Sequence, residues 1–206
     1  MIAAAAIGAT GAIIAALISV GLPMLKEYRL RHAAPGPEAG GTAADRTRTP
    51  AAANAPTGLR GEYWNLPPFQ RTPPQLSGTP QLTRIDPVID FAWQDGVPAP
   101  AISADYFAAR WTGQIHATLT GSYQFLVDHN DGARLLVNNI VVADSWRTGN
   151  RVRDGGYVYL EGDRWYPIQL EMFEGQGPAQ VRLSWRRPGA DQVAIVAGEH
   201  LRPPPH

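Results

Sequence analysis

From Gly58 onward the sequence predicts an all-β domain, an antiparallel β-sandwich or barrel of short strands. Three observations predict it. Apolar residues alternate with polar ones at period two, run after run. The 21 Gly and 19 Pro of the 206-residue chain punctuate those runs and argue for many turns rather than long helices. No stretch of this region repeats apolar residues at helical spacing, and no internal repeat occurs.

Taken in order, Ile115, Ala117 and Leu119 alternate with polar residues until Gly121 breaks the run; Tyr123, Phe125 and Val127 resume it. Leu135 and Val137 lead into Asn138-Asn139 and then the apolar "IVVA". Asn tolerates positive φ, so this pair predicts a two-residue hairpin turn. Ile168, Leu170 and Met172 form the next alternating face. After "EGQGP", Ala179, Val181, Leu183 and Trp185 alternate with Gln180, Arg182 and Ser184, which face the other way.

Two segments precede this domain. Residues 2–25, "IAAAAIGATGAIIAALISVGLPML", carry no charge and no polar face. As a helix they would span ~36 Å, enough for a hydrocarbon core of ~30 Å. Residues 1–32 are therefore read as an uncleaved transmembrane anchor. A cleavable signal segment is the rival: "HAA" at 32–34 loosely fits a small-residue site, although a charged n-region is missing. Lys26, Arg29 and Arg31 follow the apolar run, and the positive-inside rule places that flank in the cytoplasm. This conflicts with the extracytoplasmic position expected of the β domain, which would be held at the cell membrane by a single pass or secreted after cleavage. Residues 33–57 contain no aromatic, Val, Ile, Leu or Met, so they have nothing to bury against their ordering entropy. They read as a disordered linker reaching at most ~75 Å. The expected organisation is an anchor or signal at 1–32, a linker at 33–57 and a β domain at 58–206.

Charge and composition exclude several functions. The formal net charge is zero, and no basic stripe exists to hold nucleic acid. From residue 58 onward 13 basic residues stand against 15 acidic ones, which suits a neutral ligand. Without Cys there is neither disulfide nor thiolate chemistry.

Six pieces occur in a set order: "GLRGEYWN" (58–65), "DPVIDFAW" (86–93), "FAARWTGQI" (107–115), "GSYQFLVDHNDGARLLVNNIVVADSW" (121–146), "YVYLEGDRWYPIQLEMFE" (157–174) and "VRLSWRRPG" (181–189). Together they resemble the PA-14 domain family, named from anthrax protective antigen and shared by yeast flocculins, other adhesins and some glycosidases. The resemblance covers the β region and neither preceding segment. It implies a β-sandwich with a barrel-like cross-section. Sugar-binding members hold a calcium ion with two consecutive Asp, joined by a cis peptide, in the turn before a "G-x-R-L" strand. The matching position here reads Asn130-Asp131-Gly132-Ala133-Arg134-Leu135, so the first acid is an amide. Calcium takes six to eight oxygen ligands, and an Asn carbonyl oxygen is acceptable, although one formal charge is lost. The resemblance thus implies calcium as a cofactor, with Asp128, Asn130 and Asp131 as metal ligands. On an alternating strand, Asp128 and Asn130 share a face while Asp131 points away unless the turn rotates it.

The plainer reading makes Asn130, Asp131 and Gly132 a tight polar turn, since Asx side chains bond nearby backbone and Gly permits positive φ. His129 is then a solvated turn residue. A ligand site needs a second loop, and 143–156, "ADSWRTGNRVRDGG", follows the hairpin return strand toward the same end. It offers Asp144, Trp146, Asn150 and Asp154, and the expected ligand-binding set is Asn130, Asp131, Asp144, Trp146 and Asn150. An aromatic face beside amides and carboxylates suits a sugar, although Trp in small β domains more often packs in the core.

No metalloprotease, nucleophile-elbow, P-loop or dinucleotide motif occurs. The acid pairs Asp90/Asp95 and Glu171/Glu174 would serve glycosidase chemistry only if each faced its partner across a cleft. The chain is therefore expected to bind rather than catalyse. The leading expectation is a membrane-tethered, lectin-like module that binds carbohydrate of the cell envelope, with no nucleic-acid partner. The alternatives are a protein–protein or scaffold module without sugar or calcium, and a remnant of a larger enzyme.

Overall fold

The computed structural model describes residues 56–68 and 73–205. The expected anchor, and all of the expected linker except its last two residues, lie outside the described residues.

Among the described residues twelve strands follow one another: β1 (Leu59–Asn65), β2 (Leu82–Asp86), β3 (Asp90–Gln94), β4 (Phe107–Ala117), β5 (Gly121–Asn130), β6 (Gly132–Val137), β7 (Ile140–Ser145), β8 (Val152–Leu160), β9 (Arg164–Glu174), β10 (Ala179–Arg186), β11 (Ala194–Ile195) and β12 (Leu201–Arg202). Among the described residues the helical content is one 3-10 turn at Gly198–His200. Every strand pair is antiparallel.

The strands form two sheets. Sheet A has the order β2-β1-β4-β9-β6-β7, and β12 joins the edge of β4 beyond the end of β1. Sheet B has the order β11-β10-β5-β8, and β3 shares with β11 one edge of β10. Alternation sends Tyr123, Phe125 and Val127 of β5 inward from sheet B. They meet Trp111 and Ile115 of β4, Leu135 of β6 and Leu170 and Met172 of β9 from sheet A in one apolar core. Asn138 and Asn139 both take positive φ, 52° and 60°, which is the hairpin turn their side chains predict. Leu119 departs from the expected alternation. It sits past the end of β4 and is 50% exposed, because Tyr123 spends its hydroxyl on the Leu119 backbone and shapes a turn there.

Candidate functional site

At one end of the sandwich β5 stops at Asn130, the Asn130-Asp131 peptide is cis, and β6 begins at Gly132. Gly132 lies opposite Phe173 on β9, where a Cβ would collide with the Phe173 ring, so the position admits no side chain. The turn does rotate Asp131. Its Oδ1 accepts from the Gly149 N–H at 2.7 Å, and its Oδ2 accepts from the Gly175 N–H at 2.8 Å. One carboxylate thus ties together the β5–β6 turn, the β7–β8 loop and the β9–β10 loop. The Asn130 Nδ2 donates to the Pro178 carbonyl at 2.6 Å, which braces the same junction from its other side.

Beneath Asp131 the electrostatics are unfavourable. Glu174 lies in phase with Ile168, Leu170 and Met172, so β9 carries it on its core face, where it is fully buried. Neither carboxyl oxygen makes a well-formed hydrogen bond, and their polar neighbour is Asp131, by its side chain and its backbone. Burial, and then the nearby charges of Asp131 and Asp105, push its pKa up to about 8. Glu174 is therefore a neutral acid at pH 7. Asp105 itself accepts the Gly177 N–H at 3.2 Å, so it borders the β9–β10 loop from the strand β4 side.

His129 corrects the solvated-turn expectation. It is buried on the core face, and its Nδ1 lies 2.7 Å from the Asp131 carbonyl. A carbonyl only accepts, so Nδ1 carries the proton. Burial holds the imidazole below its ordinary pKa, and the buried Nε2 has no partner. The residue is a neutral brace of the turn.

The sequence-predicted residues fall into two groups. Asn130 and Asp131 sit at the turn, and Asn150 is exposed on the β7–β8 loop next to Gly149, whose amide touches Asp131. Asp128 does not join them: it points out of sheet B, where both of its oxygens are held by Arg153 at 2.8 and 2.9 Å. Asp144 is exposed and paired with Arg134 in the β6–β7 register. Trp146 is pinned rather than free. Its Nε1 donates to the Pro74 carbonyl at 3.1 Å, its ring meets Phe173 edge-on at 4.8 Å, and the Arg134 guanidinium covers it at 4.1 Å.

Glu171 and Glu174 point to opposite faces of sheet A, and Asp90 pairs with Arg182, so neither acid pair spans a cleft. The residues missed were Glu174 and Asp105. Glu174 was legible: it continues the alternation of Ile168, Leu170 and Met172 into an acid.

Among the described residues no three acidic or histidine side chains gather closely enough to hold a metal ion unaided. The turn nevertheless offers oxygen donors of the kind calcium takes, the Asp131 carboxylate and the Asn130 amide oxygen, with loop carbonyls beside them. The unpartnered Glu174 carboxyl beneath is a buried acid that a nearby cation would favour in its charged form.

The PA14 domain profile matches residues 57–199. Over 147 residues the chain is 33% identical to "Anti-sigma-I factor RsgI3" of Acetivibrio thermocellus, covering 71% of this chain and 21% of that protein. A solved anti-sigma factor domain-containing protein from Clostridium clariflavum is 32% identical with a TM-score of 0.61, covering 73% of this chain and 49% of that one. This chain thus spans less than half of either relative. The "PA14 sugar-binding domain from RTX adhesin" shares the fold, with a TM-score of 0.62, 21% identity and coverage of 72% of this chain and 99% of that one.

Proposed function

Because the chain belongs to the PA14 domain family, we propose that its β domain is a carbohydrate-binding module whose ligand sits at the loop end around Asn130 and Asp131. The observation that carries this reading is the convergence of three chain segments on the Asp131 carboxylate. Such a junction holds its loops in place before a ligand arrives, which lowers the cost of ordering them on binding. Asp131 and the Asn130 oxygen would hold a calcium ion, which supplies positive charge and open positions for sugar hydroxyls. Exposed Asn150 and Asp144 offer amide and carboxylate groups to further hydroxyls, and Trp146 offers what its packed ring leaves uncovered. The apolar run at 2–25 would tether the module to a membrane of the cell envelope.

A glycan array probed with the full chain, with calcium and with chelator, tests the reading. Binding of at least one glycan that chelator and Asp131→Ala both abolish is expected. Silence on every glycan in both conditions would overturn it. A second reading, a protein-docking module, is favoured by the anti-sigma factor names of its relatives and by the amide at Asn130. Recovery of one recurrent partner from membranes, unaffected by Asp131→Ala, would support that reading instead.

A further inference from the structure

The outer face of sheet B carries two aromatic rings that the loop-end site does not use. Alternation along β8 sends Val158 and Leu160 into the core and turns Arg153, Gly155, Tyr157 and Tyr159 outward. Tyr157 is 63% exposed and Tyr159 67%, and no other described ring stacks on either. The two rings stand about 7 Å apart along the strand. Strand propensity favours Tyr at either position, but two neighbouring rings held out in water on one strand form a patch that no packing within the described residues uses.

Their neighbours follow from the register. Tyr157 lies opposite Gln124 of β5, which in turn lies opposite Arg186 of β10; Tyr159 lies opposite Ser122. The Arg186 Nη2 reaches the Tyr157 hydroxyl at 3.4 Å. The side chains of Gln124 and Ser122 have no hydrogen-bond partner among the described residues. In the next row Gly155 faces Leu126, and a Cβ on Gly155 would strike the Phe125 carbonyl. The Leu126 side chain lies against that glycine, so the row beside the rings is low and apolar. The acids of this face are neutralised, Asp128 by Arg153 and Asp90 by Arg182.

We propose that this face is a second carbohydrate site, one that takes an extended neutral polysaccharide laid along β8. Its sugar rings stack on Tyr157 and Tyr159, and Gln124, Ser122 and Arg186 bond its hydroxyls. Two features choose this occupant. A flat sheet face with adjacent rings matches the apolar C–H faces of successive sugars, and the polar groups beside them match hydroxyls. With two of its arginines paired to acids, the face keeps one uncompensated positive charge among the described residues, Arg186, a weak field for a polyanion or an anionic membrane. The two rings together expose about 300 Å², within the range of the largest apolar patch on an ordinary monomer. The site is also separate from the loop end: Ser122 lies eight residues along β5 from Asn130, about 27 Å.

Native affinity electrophoresis of the full chain, in mild detergent, tests it against four neutral soluble polymers: hydroxyethylcellulose, xyloglucan, glucomannan and arabinoxylan. At least one should retard the protein. The double variant Tyr157→Ala/Tyr159→Ala should weaken that binding at least tenfold, whereas Tyr157→Phe/Tyr159→Phe should stay within about threefold of the parent because the rings remain. Chelator and Asp131→Ala should leave it unchanged. Both positions are exposed, so the melting temperature and far-ultraviolet circular dichroism should be unchanged. Retardation by none of the polymers, or retardation that survives the double Ala variant, overturns the proposal. So does loss with chelator and with Asp131→Ala, which would put all binding at the loop end. Binding to phosphatidylglycerol vesicles, or a dimer in sedimentation, that the double Ala variant abolishes would assign the face to a membrane or a second copy instead. Silence on the glycan array, by contrast, would overturn the loop-end reading and leave this one standing.

Discussion

Around Glu171 on sheet A the side chains that point away from the core lie under returning chain; along β8 on sheet B they meet solvent. Both faces arise from the same period-two alternation, and both carry aromatic residues. Over sheet A, the carbonyls of Pro74, Leu76 and Gly78 accept from Trp146 Nε1, Arg110 Nη2 and Trp64 Nε1 at 3.1, 3.3 and 3.2 Å. Under that cover Glu171 accepts from Arg110 and Arg134 at 2.7 Å each, and those guanidiniums lie over Trp64 and Trp146 at 5.4 and 4.1 Å. Over sheet B no described segment returns across Tyr157 and Tyr159. Alternation decides which side chains leave the core, while a separate stretch of chain decides whether they reach water. A ring packed beneath a returning segment is held for structure; a ring with nothing over it is open to a ligand.

The largest effect should come from breaking the covered face at its centre. Glu171 is 3% exposed, and Glu171→Ala leaves Arg110 and Arg134 facing each other beneath the loop without a counter-ion. Losing one partner of a buried ion pair costs ~3–5 kcal/mol; here, with both guanidiniums in part solvated, about 2–4 kcal/mol is expected. Urea unfolding measures it. A cost below that of an ordinary surface substitution would mean that the cover contributes nothing.

Next in size is the acid that lies at the end between the two sheets. With a pKa of about 8 in the fold against an ordinary 4.5, Glu174 keeps its proton in the folded state after the unfolded chain has lost it. Its contribution is therefore fully present below about pH 4.5, is lost as pH rises toward about 8, and is level beyond that. The loss amounts to roughly a few kcal/mol across that window. His129 acts in the opposite sense: its depressed pKa costs stability as pH falls below its ordinary 6.5. In chelator, Glu174→Gln should flatten the decline of the melting temperature between pH 5 and 8 and raise it at pH 8. An unchanged pH profile would show that Glu174 is ionised in the fold. Calcium added to the parent at pH 8 should recover part of the loss if the ion sits beside Asp131.

Much of this was legible in the residues. Alternation at Tyr123, Phe125 and Val127, and again from Ala179 to Trp185, marks buried strand faces, and the Asn138-Asn139 pair marks its own hairpin. The site was legible in part. Asp128 and Trp146 lie beside the right turn in sequence, yet their polar atoms are taken by Arg153, 25 residues away, and by Pro74, 72 residues away. Partners so distant leave no local trace. Likewise His129 has the composition of a turn, yet β5 runs on to Asn130, and the alternation of Tyr123, Phe125 and Val127 carries His129 onto the core face. Tyr157 and Tyr159 alternate visibly with Val158 and Leu160, but the absence of a covering segment is a property of the folded chain alone.

A smaller effect sharpens the same contrast by asking one ring from each face to report. Trp146→Phe on sheet A deletes the N–H that meets Pro74 and the larger ring between Arg134 and Phe173, for about 1–2 kcal/mol. Tyr159→Phe on sheet B deletes only a hydroxyl for which no hydrogen bond exists among the described residues, and should move stability by less than ~0.5 kcal/mol. Paired chemical-denaturation curves at one pH compare them directly. If Tyr159→Phe costs as much as Trp146→Phe, the hydroxyl of Tyr159 is engaged in the folded chain and the bare face is covered after all. If Trp146→Phe costs nothing, the segment at 73–78 does not hold sheet A closed, and Trp146 becomes as available to a ligand as the tyrosines opposite.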